Sequence, residues 1–433
     1  MTTILGISAF YHDSAAALII DGEIILAVQE ERFSRKKNDS DYPYNSVEFI
    51  LKDQNITIDD IDYIVFYEKP FLKFERLLES YVAFSPKGFF SFIKSMPVWL
   101  KSKLFLKREL IKLLKKHKSS KDFKDKLFFS NHHLSHAASA YYSSSFDEAI
   151  VFTADGVGEW ATTTIAIGKK NDLRIDREIY FPHSLGMIYS AFTHYIGFEV
   201  NNGEYKLMGL ASYGNPKYKD LIYKYLIHVK EDGSFRLNQK YFNYVSGLTM
   251  INDKFEKLFN NKRREEKEVI TQFHMDIASS IQEVIEDVIL LICKDAHKTY
   301  KLKNLCLAGG VALNCVVNGK IKESNIFDNI WIQPAAGDAG GSIGAALALW
   351  YIHLENPFIK YQGRDRMKGS FLGPQYESHE IETELLISGA KYKNYTQDDL
   401  IKKVANEIAN GKVIGWFQGR TEFGPRALGC RSI

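Results

Sequence analysis

The sequence predicts a duplicated α/β fold, on three observations. Ile4 to Ser8 and Ala15 to Ile20 read as buried strands around the polar loop Tyr11-His12-Asp13-Ser14. The two-residue turn Asp21-Gly22 then leads into a third strand, Glu23 to Gln29. The β-branched and aromatic run Ala149 to Ala154 repeats the design, ending at Asp155-Gly156-Val157-Gly158-Glu159 and returning as Ala161 to Ile167. Two hairpins with an acidic, glycine-bearing turn, one opening each half, form a weak internal repeat of the kind found in nucleotide clamps. A length of 433 residues also exceeds one small domain.

The remaining elements follow in order. Glu68 to Lys126 is rich in Lys, Phe and Leu and reads as a basic helical insertion. Its most basic part, Lys101 to Lys126, centres on Lys115-Lys116-His117-Lys118. Without glycine, arginine and aromatic interleaving, it reads as a solvated amphipathic insertion rather than an anionic-surface contact. Phe273 to His297 has the apolar spacing of a long core helix. Asn356-Pro357 to Gly373-Pro374 carries turn residues and reads as a connector. From Ala390 a new α/β segment begins, with a last strand at Val413 to Phe417. The expected division is 1–355, a linker at 356–394, and 395–433.

Composition narrows the class without naming a chemistry. Apolar content of 45%, charged content of 25% and a net charge of +3 are those of an ordinary globular protein, with no nucleic-acid partner expected. Cys293, Cys306, Cys315 and Cys430 form no CxxC pair, which argues against a zinc ribbon or disulfide scaffold and fits a reducing cytoplasm. Met1 leads directly into a strand rather than a signal peptide, and no apolar run approaches the ~20 residues of a membrane span.

Four constellations carry candidate chemistry. Asn131-His132-His133-Leu134-Ser135-His136 reads as a helix start capped by Ser130 or Asn131, with His132 and His136 on one face. Two ordinary histidines would satisfy that spacing alone. Asp155 and Asp338 each end an apolar strand, where a buried charge needs a metal or a hydrogen-bond network. Two imidazoles with one or two carboxylates suit Fe(II), and also Mn or Zn. Second, Leu305 to Asn314 runs from strand through Gly309-Gly310 into a helix, a geometry for close backbone approach by a nucleotide or for tight packing; Gly337 to Gly344 repeats the theme. Third, Glu204 and Lys206 flank Tyr205 in a glycine-bounded segment, where they would meet a phosphate or an acceptor hydroxyl, or form a salt bridge. Fourth, Arg420, Arg426 and Arg431 lie among glycines and a proline and suit capture of phosphate or carbamoyl oxygens.

Together these motifs resemble the O-carbamoyltransferases of Nod-factor and antibiotic biosynthesis. The resemblance runs through His12-Asp13-Ser14-Ala15-Ala16, Glu30-Glu31-Arg32-Phe33, His132 to Ala137, Asp155 to Glu159, Gly203 to Gly209, Gly309 to Asn314 and Phe423-Gly424-Pro425-Arg426-Ala427-Leu428-Gly429. It implies a duplicated actin/hexokinase-like (ASKHA) transfer domain followed by the start of a YrdC-like activating domain. In that family, carbamoyl-adenylate is made from ATP and carbamoyl phosphate, and the carbamoyl group passes to a substrate hydroxyl with the aid of a bound iron. By the resemblance, His132, His136, Asp155 and Asp338 hold the metal. Asp155, Gly156, Val157, Gly309, Gly310 and Asn314 line the adenylate, and Lys37 reaches its phosphate. His12 and Asp13 sit beside the acceptor, with Glu204 and Lys206 as further catalytic candidates, and the three arginines take carbamoyl phosphate. Family members continue beyond Gly429, whereas this sequence stops four residues later, so the expectation is a truncated activating domain. A homodimer is expected to be compatible with this architecture. Two alternatives stand beside this reading: a tRNA threonylcarbamoyl-type transferase, which would lack the Phe423-Gly424-Pro425-Arg426 motif, and a non-catalytic nucleotide-binding protein.

Overall fold

The computed structural model describes residues 1–100, 104–359 and 365–433. Two five-stranded sheets repeat one topology. In the first, β1 (Thr3–Ser8), β2 (Ala15–Ile20) and β3 (Glu23–Gln29) form an antiparallel meander. β4 (Tyr63–Phe66) and β5 (Leu127–Phe129) add in parallel on the other side of β1, giving the order β3-β2-β1-β4-β5. In the second, β6 (Glu148–Ala154), β7 (Ala161–Lys169) and β8 (Asp172–Tyr180) form the meander. A small pair, β9 (Ile227–Val229) and β10 (Phe235–Leu237), intervenes in the chain. β11 (Asn304–Ala308) and β12 (Asn329–Ile332) then add in parallel, giving β8-β7-β6-β11-β12. The two orders are the same, which establishes the duplicated actin/hexokinase-like α/β architecture.

The matching turns are not the ones the sequence pairs. Asp21-Gly22 joins the second and third strands, and an added Cβ on Gly22 (φ +83°) would strike the Trp350 indole at 2.4 Å. The counterpart of Asp155–Glu159 is instead the loop after β1 that carries His12 and Asp13, because each joins the first strand of its sheet to the second.

One apolar core runs from the first sheet across two helices onto one face of the second sheet, a second core fills that sheet's other face, and the two helices tie the halves together. The His132–Tyr141 helix follows β5 yet packs on β6, β7 and β11 of the second sheet. The Gly341–Ala348 helix follows β12 yet packs on β1 and β2 of the first, and the two helices lie against each other. Glycines permit this approach. A Cβ on Gly344 would stand 1.7 Å from the Ser135 carbonyl oxygen, and one on Gly6 of β1 would stand 1.9 Å from that of Ser342. The long core helix runs Gln272–Tyr300, opened by a capping box between Thr271 and His274.

The region between the halves carries helices at Pro70–Ala83, Phe89–Val98 and Leu106–Lys115; residues 101–103 of its basic stretch lie outside the described residues. The segment expected to be a linker is packed in part. Met367 and Leu372 are fully buried, and the Leu372 carbonyl accepts from the Ala27 N–H at 3.1 Å, while residues 360–364 lie outside the described residues. Beyond it, helices Ser378–Ile387 and Gln397–Ala409 bury no residue. The expected strand at Val413 to Phe417 shortens to β13 (Trp416–Phe417), paired with β14 (Arg431–Ser432). The loop between them is anchored: Phe423 is 2% exposed within the first core, and its N–H donates to the Ser370 carbonyl at 2.7 Å. Among the described residues, no helix is long and apolar enough to cross a membrane.

Candidate metal centre

The carboxyl ends of the parallel strands converge on one point, the place where open α/β sheets bind ligands. His12 follows β1, Tyr67 follows β4 and the His132–Tyr141 helix follows β5; Asp155 follows β6, Gly309 follows β11, and Asp338 lies on the loop after β12. His132, His136, Asp155 and Asp338 thereby meet, with one donor atom from each within 4.8 Å of all the others. His132 Nε2 and His136 Nε2 are 3.1 Å apart and stand 3.0 and 3.1 Å from Asp155 Oδ2. They lie 3.8 and 3.6 Å from Asp338 Oδ1.

These spacings fit an ion. Bonds of about 2.0–2.2 Å subtending 90–110° separate neighbouring donors by roughly 2.9–3.6 Å. The electrostatics agree. Burial disfavours the His136 imidazolium, yet hydrogen bonds to Asp155 and Asp338 raise its pKa to about 9. Burial opposes ionisation of Asp155, but hydrogen bonds from His132 and His136 hold it well below the usual carboxylate range. Asp338 is likewise buried, and the charge of His12 with the hydrogen bond of His136 brings it to about 2. Asp338, buried, and Asp155, partly buried, therefore stay ionised and need positive charge, which imidazolium supplies in the metal-free protein and a divalent cation would supply when bound.

Local structure holds the candidate ligands His132 and Asp338. Asn131 occupies the N-cap position of the His132–Tyr141 helix, but its side chain makes no capping bond. Glu159 does so instead: both carboxylate oxygens accept the His132 N–H at 3.0 Å, and Oε1 accepts the Lys69 N–H at 2.7 Å. Gly158 lets this turn approach, since a Cβ there would stand 2.9 Å from the His133 ring, and its carbonyl accepts from buried Arg76 at 2.9 Å. The Tyr67 hydroxyl donates to Asp338 Oδ2 at 3.2 Å. His133 faces Thr153 Oγ1 at 2.8 Å, and burial together with His132 and His136 lowers its pKa well below the ordinary value, so it is a neutral structural histidine. The sequence contained Glu159 within the acidic motif, but Tyr67, Glu68 and Arg76 carried no recognisable signal.

His12 borders the cluster, its Nδ1 2.9 Å from Asp13 Oδ2 and its Nε2 3.9 Å from Asp338 Oδ2. Burial works against its charge, but Asp338 and Asp13 together raise its pKa to about 9. Gly156 and Val157 are half-buried on the turn after Asp155; a Cβ on Gly156 would meet only Met187 Sδ, at 3.8 Å. Gly310 faces Asp155, with a Cβ reaching 3.0 Å from Oδ1.

Other expected site residues have different immediate tasks. Gly309 (φ +85°) is explained by packing, since its Cβ would strike the Ala154 carbonyl at 2.3 Å. The same holds for Gly344 in the second glycine loop. Asn314 caps the Cys315–Glu323 helix through Val317 N–H and exchanges amide hydrogen bonds with Gln282. Glu204 accepts from Ser190 Oγ at 2.7 Å and from the Asn201 N–H at 3.0 Å. Lys206 is exposed beside the Tyr205 and Phe198 rings, and Lys37 pairs with Glu31 at 3.1 Å. The three arginines do not share a pocket. Arg420 binds Asp53 and the Gly373 carbonyl; Arg431 binds Glu422 and the Gly424 carbonyl; Arg426 is exposed over the Tyr205 ring at 5.4 Å.

Comparisons with known proteins place this geometry. Residues 3–347 match the family described as Carbamoyltransferase N-terminus, and residues 405–433 match Carbamoyltransferase C-terminus. The uncharacterized protein sll1178 of Synechocystis is 56% identical over 437 residues, covering 100% of this chain and 71% of that protein. Nodulation protein NolNO of Sinorhizobium fredii is 34% identical over 430 residues, covering 98% of this chain and 58% of the relative. Nodulation protein NolO of Bradyrhizobium diazoefficiens is 36% identical over 307 residues, covering 70% of this chain and 52% of the relative. Among solved structures, HypF of T. kodakarensis aligns with 82% of this chain and 48% of its own at a TM-score of 0.45 and 13% identity. The amino-terminal family match spans most of the sequence and contains all four cluster residues, and on it the chain belongs to the carbamoyltransferase family.

Proposed function

We propose that this chain transfers a carbamoyl group from carbamoyl-adenylate, formed from ATP and carbamoyl phosphate, to a hydroxyl of a small-molecule or sugar acceptor. The observation that carries the reading is the largely buried two-histidine, two-aspartate cluster between two halves of like topology in a carbamoyltransferase-family chain. The acceptor oxygen bonds to the carbamoyl carbon, the bond from that carbon to the adenylate oxygen breaks, the hydroxyl proton leaves, and AMP departs. A divalent ion such as Fe(II), held by His132, His136, Asp155 and Asp338, would supply Lewis-acid stabilisation of the developing oxyanion.

The protein's own residues do the rest by position. Gly156 and Gly310 leave the Asp155 turn open to the adenylate. His12, oriented by Asp13 and kept protonated by its carboxylate neighbours, stands beside the cluster to hold the acceptor oxygen by hydrogen bonding, while the hydroxyl proton passes to solvent. Glu204 acts through the loop it fixes at Asn201 rather than as a base. Arg426 is the arginine left to meet an incoming phosphate, because Arg420 and Arg431 already neutralise Asp53 and Glu422.

The test supplies carbamoyl-adenylate with a panel of hydroxyl acceptors and follows carbamoylated product by mass spectrometry. Product from the native chain and none from folded His132→Ala/His136→Ala protein is expected. Equal product from both would end the proposal.

A further inference from the structure

Ligation through Nε2 fixes the His132 tautomer with its proton on Nδ1, and that N–H then needs an acceptor. His132 is 2% exposed, and its Nδ1 has no hydrogen-bond partner among the described residues. Glu68 Oε2 stands 3.9 Å away. That carboxylate is 6% exposed and pairs with the ammonium of Lys73 at 2.6 Å. Lys73 is itself buried, with its ammonium 4.9 Å from the centre of the Tyr11 ring.

We propose that Glu68, anchored by Lys73, is a positioning residue that holds the metal-binding His132 through its Nδ1–H. The inference rests on the metal-site reading above and assigns it a carboxylate–histidine support that no motif discloses. Its neighbours strengthen it. Tyr67 donates to Asp338, and the Lys69 N–H binds Glu159, which caps His132. The short segment after β4 thus addresses the cluster at every residue. Lys73 has a definite part, because a buried carboxylate needs a partner to stay ionised. A small torsion of Glu68 would bring its carboxylate from 3.9 Å into hydrogen-bond range of Nδ1. Such contacts are commonly long before the ligand binds.

The test measures Co(II) affinity of the full chain by chelator competition, alongside urea unfolding of the metal-free protein. Glu68→Gln keeps an acceptor oxygen and a polar partner for Lys73. The double variant Glu68→Ala/Lys73→Met removes both charges together and leaves no unpaired ion to unfold the protein. The expected order is native tightest, Glu68→Gln weaker, and the double variant weakest by about 10–100-fold, the usual effect of losing such a partner. Co(II) absorption bands should shift in the same order. Equal affinities and spectra in all three would overturn the role of Glu68 while leaving the metal site intact. Absence of Co(II) binding by native protein would instead overturn the metal-site reading and this inference with it.

Discussion

Replacing Gly344 by alanine tests how the candidate metal centre is assembled. The Gly341–Ala348 helix crosses the His132–Tyr141 helix at this glycine, where an added Cβ would stand 1.7 Å from the Ser135 carbonyl oxygen and 2.8 Å from the Ser139 nitrogen. Ordinary van der Waals contact begins at 3.4 Å. Both obstructing atoms are backbone, so no rotamer change relieves the clash, and the helices must part by about 1.5 Å. Two effects oppose each other. Alanine gains about 1 kcal/mol over glycine in a helix interior, whereas overpacking against rigid neighbours costs up to about 3 kcal/mol. The steric effect wins, leaving a net loss of about 2 kcal/mol. Asp338 opens this helical segment while His132 and His136 ride on the other helix, so parting them widens the 3.6 and 3.8 Å Asp338–imidazole distances. Metal affinity should fall by at least about tenfold, a loss of about 1.4 kcal/mol. Urea unfolding of the metal-free protein and Co(II) competition read the two effects separately. A Gly344→Ala protein as stable as native, with unchanged Co(II) affinity, would refute the claim that this crossing sets the ligand geometry.

Glu159→Ala removes the buried acceptor of the His132 and Lys69 N–H groups and should cost about 2–3 kcal/mol, with faster amide exchange concentrated at the start of the His132 helix. Gly156→Ala should leave the unfolding midpoint unchanged, because its Cβ meets only Met187 Sδ at 3.8 Å, while weakening nucleotide binding in a calorimetric titration. Arg32→Ala removes a 3.0 Å hydrogen bond to the Gly424 carbonyl and should speed exchange across residues 421–431 while sparing the two sheets. Burial raises the pKa of Asp276, but its bonds to Lys217 and the Asn215 N–H outweigh this and depress it. Its contribution to stability is therefore present above about pH 4 and lost as pH falls through the folded value. Asp276→Asn should accordingly reduce stability near neutrality and flatten the acid limb of the stability profile.

Much of this protein was legible in its sequence, and the boundary follows the range of the forces involved. β1 to β3 and β6 to β7 were readable because apolar runs and turn residues are local signals. His132 and His136 announced themselves because four-residue spacing on a helix puts both on one face. The pairing of turns was misread, since equivalence between halves depends on strand order, which no short window contains. The glycines at 309 and 344 looked alike as ligand loops, and only packing against Ala154 and Ser135 shows them to be points of close backbone contact. The arginines at 420 and 431 looked like an anion site until Asp53 and Glu422 were brought beside them. The sequence by itself determined β1 to β3, β6, β7 and β11, the histidine helix, the long core helix and the four candidate ligands. Tertiary structure alone decided that Asp155 and Asp338 complete one cluster, that Glu159 caps the histidine helix, and that Tyr67 and Glu68 stand behind it. Those contacts join residues far apart along the chain, and they exist only because the two sheets direct their strand ends to a common point.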